Sequence, residues 1–334
     1  MIKINHKIMV ITIFSSILIT LLVGLTSIIT SMYVINKEAS ANLILLTQNK
    51  AYMIEDAFRK IEVSTDDLAD YVEVSFSPQN FDKYGINYIK DYTESLIFLV
   101  KNFLIHTDKA KSCYFNFGPG MVKNDKVYQT WVYDKTETGE NLDIVTTEPA
   151  SIYFPVDNSD MDWFYKPKNT GKPLWSNPYY DQTILTSMIS YTKPVYIKNK
   201  FIGVAGMDMS IEKLEKMIMS LKVYDTGYAF LLDKNFNIVV HKKYKTNKKL
   251  EEVSKTLFDS LKINSIKKPM GLINYHYDGI DKVACYKNLN NGLIFVIAVP
   301  KSEMLRQKLN LQILLSGITL LSLILATLIM INKD

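Results

Sequence analysis

Aromatic and acidic side chains are concentrated in one stretch of the chain, residues 161–181, which reads MDWFYKPKNTGKPLWSNPYYD. It holds six aromatic residues, including two of the three tryptophans, together with two aspartates. A hydrophobic core requires rings but not carboxylates beside them. A pocket for a cation uses both, because ring faces attract cations and carboxylates neutralise their charge. The stretch therefore predicts a cation-binding pocket.

A third aspartate, Asp208, lies in a strand-like segment, FIGVAGMDMS, at residues 201–210. Because side chains alternate along a strand, Asp208 shares a sheet face with Val204 and Gly206. A carboxylate on an otherwise apolar face is unfavourable unless a partner satisfies it. This position predicts that Asp208 contacts either a ligand or a compensating group of the protein.

Each of these residues also has a purely structural interpretation. Asp208 could cap the helix that follows it or pair with a lysine, and Asp181 could be a turn residue. Trp163 and Trp175 could pack in a core, and for Trp175 the core is the favoured interpretation.

Catalytic and metal-binding patterns are not found. Asp162 with Asp181 could form a carboxylate pair for hydrolysis, and Ser187 or Ser190 could be a nucleophile. However, the chain contains no G-x-S-x-G, H-E-x-x-H or phosphate-loop motif, and its four histidines lack ligand spacing. We therefore expect no enzyme activity, no catalytic residues, no metal and no cofactor.

Composition narrows the possible partners. The 334 residues suffice for two domains, and the net charge of +5 comes from scattered lysines. A nucleic-acid partner is not expected, because no basic stripe is present. The two cysteines, Cys113 and Cys285, are far apart in sequence, so two separate buried thiols are favoured over a disulfide.

Two long apolar runs without charges, residues 8–32 and 309–331, frame the chain. At about 1.5 Å per residue, each helix would exceed the ~30 Å hydrocarbon core of a bilayer. The first run is too long for a signal peptide, and no small-residue cleavage site follows it. We predict two transmembrane helices, and hence a multi-pass protein of the cell membrane.

The charges around the first run predict its orientation. Lys3, His6 and Lys7 precede it, whereas Lys37 beyond it is matched by Glu38. Cytoplasmic flanks carry the excess of basic residues, so residues 1–7 are predicted to be cytoplasmic. Residues 36–308 are then extracytoplasmic, and the second helix returns the chain to the cytoplasm.

A long stalk helix is predicted for residues 36–78, because neither glycine nor proline occurs between Gly24 and Pro78. A mainly apolar stripe recurs there at steps of four and three, at Ile54, Phe58, Ile61, Thr65, Leu68 and Val72. This stripe packs either against its own domain or against a second copy in a homodimer. A second helix is predicted over residues 88–106.

Beyond residue 106 the pattern changes to short strands. The predicted strands and hairpins are KSCYFNFG, KVYQTWVYD, SMISYTKPVYI with KFIGVAGMDMS, YAFLLDKNFNIVVH, GLINYHYDGIDKVACYKNL and GLIFVIAVP. An internal repeat joins a strand to a helix that begins at Ser210 or at Ser302. We predict an α+β fold with two antiparallel-sheet modules, a membrane-distal one at residues 79–222 and a membrane-proximal one at residues 223–300.

This organisation resembles the double Cache family, the PAS-like extracytoplasmic sensor domains of bacterial chemoreceptors, sensor kinases and diguanylate cyclases. The segments WFYKPKNTGKPLWSNPYYD, ISYTKPVY and KFIGVAGMDMS carry the resemblance. It covers nearly the whole loop between the apolar runs and is specific over residues 160–212. The resemblance implies a transmembrane receptor that binds a small molecule in its distal module.

The resemblance also implies site residues. In family members that bind amino acids, an Arg-x-Trp-Tyr segment holds the ligand carboxylate, and a Tyr-x-Asp segment with a final aspartate holds its ammonium group. Matched without gaps, the ammonium half corresponds to Tyr179, Asp181 and Asp208. In the other half Trp163 is kept, Phe164 replaces the tyrosine, Met161 replaces the arginine and Val156 replaces an upstream tyrosine.

The implied ligand is therefore an organic amine without a carboxylate. A sensor of amino acids or of other small metabolites is the alternative within the same fold. A membrane-anchored surface binding or adhesion module is the alternative of another class. Members of the family usually continue into a cytoplasmic effector domain. We therefore expect either that the chain is a fragment, with such a domain beyond residue 334, or that it acts through a separate partner.

Overall fold

The computed structural model describes residues 2–331 except 123, 137–138, 140 and 154–160. Within these residues the fold is α+β, with one long helix, two antiparallel sheets and shorter helices. The helices are α1 (Ile2–Ser75), α2 (Pro78–Tyr84), α3 (Ile86–His106), α4 (Asp162–Thr170), α5 (Ile211–Met219), α6 (Leu250–Val253), α7 (Lys255–Lys267) and α8 (Lys301–Ile331). The strands are β1 (Ser112–Phe117), β2 (Lys126–Asp134), β3 (Leu142–Pro149), β4 (Leu174–Trp175), β5 (Tyr179–Asp181), β6 (Thr186–Ile197), β7 (Lys200–Ser210), β8 (Tyr228–Leu232), β9 (Ile238–Val240), β10 (Met270–Tyr277), β11 (Ile280–Asn288) and β12 (Ile294–Pro300).

The first apolar run and the predicted stalk form a single helix, α1, of 74 residues. It ends before Ser77 and Pro78, where the Ser77 hydroxyl accepts the backbone N–H of Asn80 at 3.2 Å and begins α2. The predicted apolar stripe is buried throughout and belongs to a core shared with both sheets. The stripe therefore packs on its own domain, and the alternative in which it forms a dimer seam is wrong for this face.

The first sheet has the strand order β3-β2-β1-β7-β6-β4, with β5 also paired to β6. The predicted β6–β7 hairpin is confirmed, and its turn residues Lys198 and Asn199 have positive φ angles, as a tight hairpin turn requires. Met207 and Met209 of β7 face the core that contains α1. Val204 and Asp208 lie on the opposite face, next to α4, and that face carries the candidate site.

The second sheet has the strand order β10-β11-β12-β8-β9, so all of its predicted strands are present. Leu257 and Leu261 of α7 pack on one face of the sheet. Val239 and Phe295 on the other face join the core that contains α1. One continuous helix thus supports both sheets.

The predicted repeat is observed as β7 followed by α5 and β12 followed by α8. Ser210 caps α5 as predicted, because its hydroxyl accepts the backbone N–H of Lys213 at 3.1 Å. Helix α8 begins directly after Pro300, with Ser302 in its first turn. Cys113 and Cys285 are both buried free thiols, which confirms that interpretation.

Among the described residues, one helix has a segment apolar and long enough to cross a membrane. This segment belongs to α1, has a mean hydropathy of 2.1 and is not buried by the rest of the chain. Helix α8 continues to Ile331, although many side chains of the second apolar run lie outside the described ones. Membrane crossing by residues 309–331 and the exact module boundaries remain predictions.

Candidate ligand-binding site

A cavity of about 170 Å³ lies in the first sheet, between the β1–β2–β7 face, α4 and the β5 segment. This volume is comparable to that of an engineered cavity that binds benzene, so it suits a small ligand. Its lining is mostly aromatic, acidic or amide-bearing: Tyr114, Asn116, Gln129, Trp131, Glu148, Ile152, Met161, Trp163, Tyr179, Tyr180, Asp181, Gln182, Thr183 and Asp208.

Five of the six residues proposed from the sequence line this cavity: Met161, Trp163, Tyr179, Asp181 and Asp208. The sixth, Phe164, does not. Its side chain is fully buried behind the wall of the cavity, in an apolar cluster with Val204 and Phe201 that also includes Met161 and Trp163. The reason is helical geometry, because consecutive residues of α4 point about 100° apart and only Trp163 can face the cavity. Val156 lies outside the described residues.

Trp163 is positioned by α4, a helix that was not predicted from the sequence, where Pro167 and Gly171 both disfavour helix. The helix ends at Gly171, whose positive φ of 66° gives a left-handed cap. Trp163 packs edge-to-face on Tyr114, with ring centres 5.2 Å apart. Gly206 makes room for Tyr114, because a Cβ atom at Gly206 would lie 2.3 Å from that ring.

Asp208 is the most buried acid of the cavity, with 2% of its surface exposed. Its Oδ2 accepts a hydrogen bond from the Ser112 hydroxyl. Its Oδ1 is buried and makes no hydrogen bond of normal geometry with the described residues. Burial raises the pKa of Asp208 to about 7, and nearby hydroxyls of Ser112 and Ser190 offset only part of this effect. Since Ser210 caps α5, the capping alternative for Asp208 is wrong.

Asp181 has two roles. Its Oδ1 accepts the backbone N–H groups of Thr183 at 2.8 Å and Ile184 at 3.0 Å, so it is a turn residue as one interpretation expected. It also lines the cavity. Burial raises its pKa, and the two backbone hydrogen bonds counteract that rise because they favour the carboxylate.

Glu148 is a third cavity acid, which the sequence analysis missed. It lies on β3, where neither a motif nor aromatic neighbours distinguish it from a solvent-facing residue. Burial is the main cause of its raised pKa, the charge of Asp181 adds to the rise, and a hydrogen bond with Gln129 opposes it. The cavity therefore concentrates carboxyl groups that oppose one another's ionisation.

Polar groups complete the lining. The indole N–H of Trp131 is buried and has no hydrogen-bond partner among the described residues, so the cavity offers a free donor as well as a free acceptor. The Tyr179 hydroxyl lies 2.8 Å from the Ser190 hydroxyl, which fixes the Tyr179 ring at the wall. Trp131 and its strand neighbours were missed because β2 reads as an ordinary buried strand.

No described residue that lines the cavity is a lysine, an arginine or a histidine. Lys193 of β6 could have taken the place of the missing arginine, but it instead bonds Asp70 of α1 at 2.7 Å and lies 3.6 Å from Asp66. Asp162 pairs with Lys166 within α4, so it does not form a catalytic pair with Asp181 at the cavity.

Trp175 follows the core interpretation. Its ring packs edge-to-face on Phe58 of α1, with ring centres 5.0 Å apart. Its indole N–H donates to Glu62, also on α1, at 2.7 Å. Among the described residues, no group of three histidine, cysteine or acidic side chains is arranged to hold a metal ion.

Two family models match the chain. Residues 96–216 match the first PDC sensor domain of methyl-accepting chemotaxis protein-like proteins, and residues 181–312 match a Cache 3/Cache 2 fusion domain. The methyl-accepting chemotaxis protein McpC of Bacillus subtilis is 26% identical over 159 residues, which are 46% of this chain and 24% of McpC. The chain thus matches about a quarter of the length of that relative.

Solved structures share the fold. The extracellular domain of soHK1S-Z6, described as a histidine kinase, aligns with a TM-score of 0.62 and 18% identity over 83% of this chain and 99% of its own. The sensory domain of the Campylobacter jejuni chemoreceptor Tlp3 with bound isoleucine aligns with a TM-score of 0.54 and 15% identity, over 82% of this chain and 98% of its own.

Proposed function

Because this chain carries a double Cache sensor domain, we propose that it is a membrane-anchored receptor whose first-sheet cavity binds a small organic amine. One observation carries this proposal. The cavity is lined by three carboxyl groups, from Glu148, Asp181 and Asp208, and by no basic side chain among the described residues. An amine supplies the positive charge that this lining lacks.

The energetics favour an ammonium group over a carboxylate. Burial raises the pKa of all three carboxyl groups, so their ionised forms are unfavourable in the empty protein. An ammonium group next to Asp181 and Asp208 would restore favourable ionisation of both. A ligand carboxylate without a cationic partner would instead cost several kcal/mol in desolvation.

Ring faces and hydrogen-bonding groups support the same ligand class. Trp163 and Tyr179 present aromatic surface to the cavity, and each cation–π contact contributes ~0.5–2 kcal/mol depending on desolvation. The indole N–H of Trp131 has no hydrogen-bond partner in the described part of the chain and requires an acceptor, which a hydroxyl or ether oxygen of the ligand would supply. The favoured ligand is therefore an amine that also carries a neutral oxygen.

An amino-acid sensor is the second candidate, because the structurally similar Tlp3 domain was solved with isoleucine bound. This candidate would need a cation for the carboxylate, and Lys193 is already paired with acids of α1. An adhesion module is disfavoured, because the polar groups converge on a cavity rather than on an exposed apolar face.

Matched ligand pairs test the proposal. The full chain in nanodiscs is titrated calorimetrically with an amine and with the amino acid that differs only by a carboxylate, for instance ethanolamine and serine. We expect the amine to bind more tightly.

Asp208→Ala should weaken amine binding by more than about 2 kcal/mol, as loss of a buried charge partner does. The control Asp162→Ala removes an acid that pairs with Lys166 outside the cavity and should bind normally. Tighter binding of the amino acid would refute the amine proposal.

Ligand binding would be signalled through the helices that support the sheets. Strand β6 bonds α1 through Lys193 and lies beside Trp175, which also contacts α1. A shift of β6 and β7 around a ligand would therefore move α1, and α8 lies along α1 next to the membrane. This proposal includes two membrane spans, a homodimer, and a cytoplasmic effector domain or partner beyond residue 334.

A further inference from the structure

Basic side chains cluster at one end of the second sheet. The ammonium group of Lys242 lies 4.7 Å from the centre of the Tyr228 ring, and that of Lys282 lies 5.4 Å from the same centre. Lys282 also lies 5.1 Å from the centre of the Tyr277 ring. We call Lys242, Lys243 and Lys282 the lysine cluster. It borders a groove formed by residues 239–246 and Glu215.

Strand register places this cluster at the end of the sheet from which α8 leaves. Lys282 is opposite Pro300, the last residue before α8, and Tyr228 is opposite Ala298. Strand β9 runs antiparallel to β8 and ends at Val240, so Lys242 and Lys243 emerge at this same end. The lysine cluster is therefore at the α8 end of the second sheet.

This end is close to the proposed membrane surface. The second apolar run begins at residue 309, eight residues after Lys301, which corresponds to about 12 Å of helix. The distance along α1 from the end of its apolar run to the core is similar, because the run ends at residue 32 and the first residues of α1 in the core are Ala39 and Leu43. Lys242 and Lys243 lie in the loop that follows β9, and Lys282 lies in β11 at the same end of the sheet, so all three lysines border this interval.

Among the described residues, acidic groups balance these positive charges only in part, although Glu215 lines the groove. Asp278 is 4.0 Å from Lys243, and Asp281 bonds His276. Burial lowers the pKa of Lys282, the charge of Asp278 opposes this lowering, and the charges of Lys242 and Lys243 add to it. Burial and the three lysines also lower the pKa of His241 to about 4, so His241 is neutral at pH 7. A bound anion would relieve this repulsion.

We propose that the lysine cluster is a second binding site, which takes the phosphate group of an anionic membrane lipid. The tyrosine rings beside the ammonium groups suit an interface, where amphipathic side chains place an apolar body near lipid and a polar tip in water. This inference rests on the proposed membrane anchoring through α1 and α8. Lipid composition would then act on the same end of the domain that transmits the ligand signal.

Native mass spectrometry of the full chain in detergent, titrated with phosphatidylglycerol or phosphatidylcholine, tests the site. Each lysine near an anionic surface contributes roughly a fivefold change in binding. Wild type should prefer phosphatidylglycerol at least tenfold, and Lys242→Gln with Lys243→Gln and Lys282→Gln should lose most of that preference. The matched control is Lys234→Gln with Lys267→Gln and Lys268→Gln, three exposed lysines at the opposite end of the sheet.

The outcomes separate this inference from the proposed function. Recovery of the full chain in alkali-washed membranes checks anchoring independently of lipid preference. An anchored chain whose lysine-cluster variant and control variant behave alike would overturn the lipid site alone. Binding of inorganic phosphate without a preference for phosphatidylglycerol would also overturn it, because the cluster would then serve a soluble anion. Unchanged thermal unfolding of both variants would show that folding is retained.

Discussion

In the proposed function, Asp208 is the residue at which ligand binding and stability conflict. Its carboxyl group is nearly inaccessible to water and one of its oxygens lacks a hydrogen bond with the described residues. Its pKa rises from 3.8 in water to about 7 in the folded protein. Between these pH values the folded state holds a proton that the unfolded state releases, so this group's contribution to stability falls as pH rises.

Asp208→Asn should therefore stabilise the empty protein while it removes amine binding. Asparagine avoids the buried charge, and the gain at pH 8 is at most about 4 kcal/mol from a shift of roughly three pKa units. The gain should vanish below pH 4, where aspartate is protonated in both states. Thermal unfolding at pH 4 and pH 8 measures the effect. A destabilised variant at pH 8 would mean that Asp208 is satisfied within the protein.

Amine affinity should depend on pH through the same carboxyl group. Below pH 7 Asp208 is mostly protonated, so binding an ammonium group requires release of a proton. Affinity should fall by up to about tenfold per pH unit below 7 and level off above it. Glu148 and Asp181, whose pKa values are also raised by burial, add to this pH dependence.

Calorimetry at pH 7 in two buffers with different ionisation enthalpies measures the proton released. Asp208→Asn, with any residual binding measured at high ligand concentration, should lose the pH dependence near 7. An affinity that is flat from pH 5.5 to 8 in wild type would contradict the role assigned to Asp208.

At the scale of elements, α1 holds the two sheets together through its buried stripe. Phe58 is 2% exposed and contacts Trp175 of the first sheet. Phe58→Ala should lower the free energy of unfolding by about 3–5 kcal/mol, because it leaves a cavity between α1 and the sheet. Tyr52→Ala, on the exposed face of the same helix, should change stability by only ~0.5 kcal/mol. Denaturant unfolding of the two variants in parallel makes the comparison, and equal losses would contradict the assignment of faces.

Elements with strong local signals were predictable from the sequence. The absence of glycine and proline predicted α1, and alternating strands around Lys198 and Asn199 predicted the β6–β7 hairpin. Helix α4 was not predicted, because Pro167 and Gly171 are residue types that disfavour a helix. Helix α7 was not predicted, because polar residues interrupt its apolar spacing. The aspartates were identifiable because carboxylates beside rings are unusual.

The remaining lining of the cavity was not predictable from local sequence. Trp131 and Glu148 come from β2 and β3, and tertiary pairing alone brings these strands next to β7 through β1. Phe164 was placed in the site because matching without gaps assigns residues to positions but not to helix faces. Only the three-dimensional packing of α4 separates its orientation from that of Trp163.

At the scale of the whole molecule, the topology can be checked directly. A reporter active only in the cytoplasm should function when fused after Asp334, because two spans return the chain to that side. A reporter inserted at the exposed β6–β7 turn near Asn199 should function only outside the cell. Activity of the cytoplasmic reporter at Asn199 would rule out an extracytoplasmic sensor.

In the proposed signalling route, the unbroken course of α1 makes its helical phase the variable that links the cavity to the bilayer. Each residue of an α-helix turns the chain by about 100°. The number of residues between the first apolar run and Asp66 therefore sets both the distance between them along the helix axis and their relative rotation about it. A single added residue would rotate the apolar surface of this segment by more than a quarter turn relative to β6. Seven added residues would return that surface to within about 20° of its original direction, but would move it ~10 Å along the helix axis. The number of residues in α1 therefore determines the rotation of its membrane end relative to the sheet. Changing that number would matter as much as changing which residues are present.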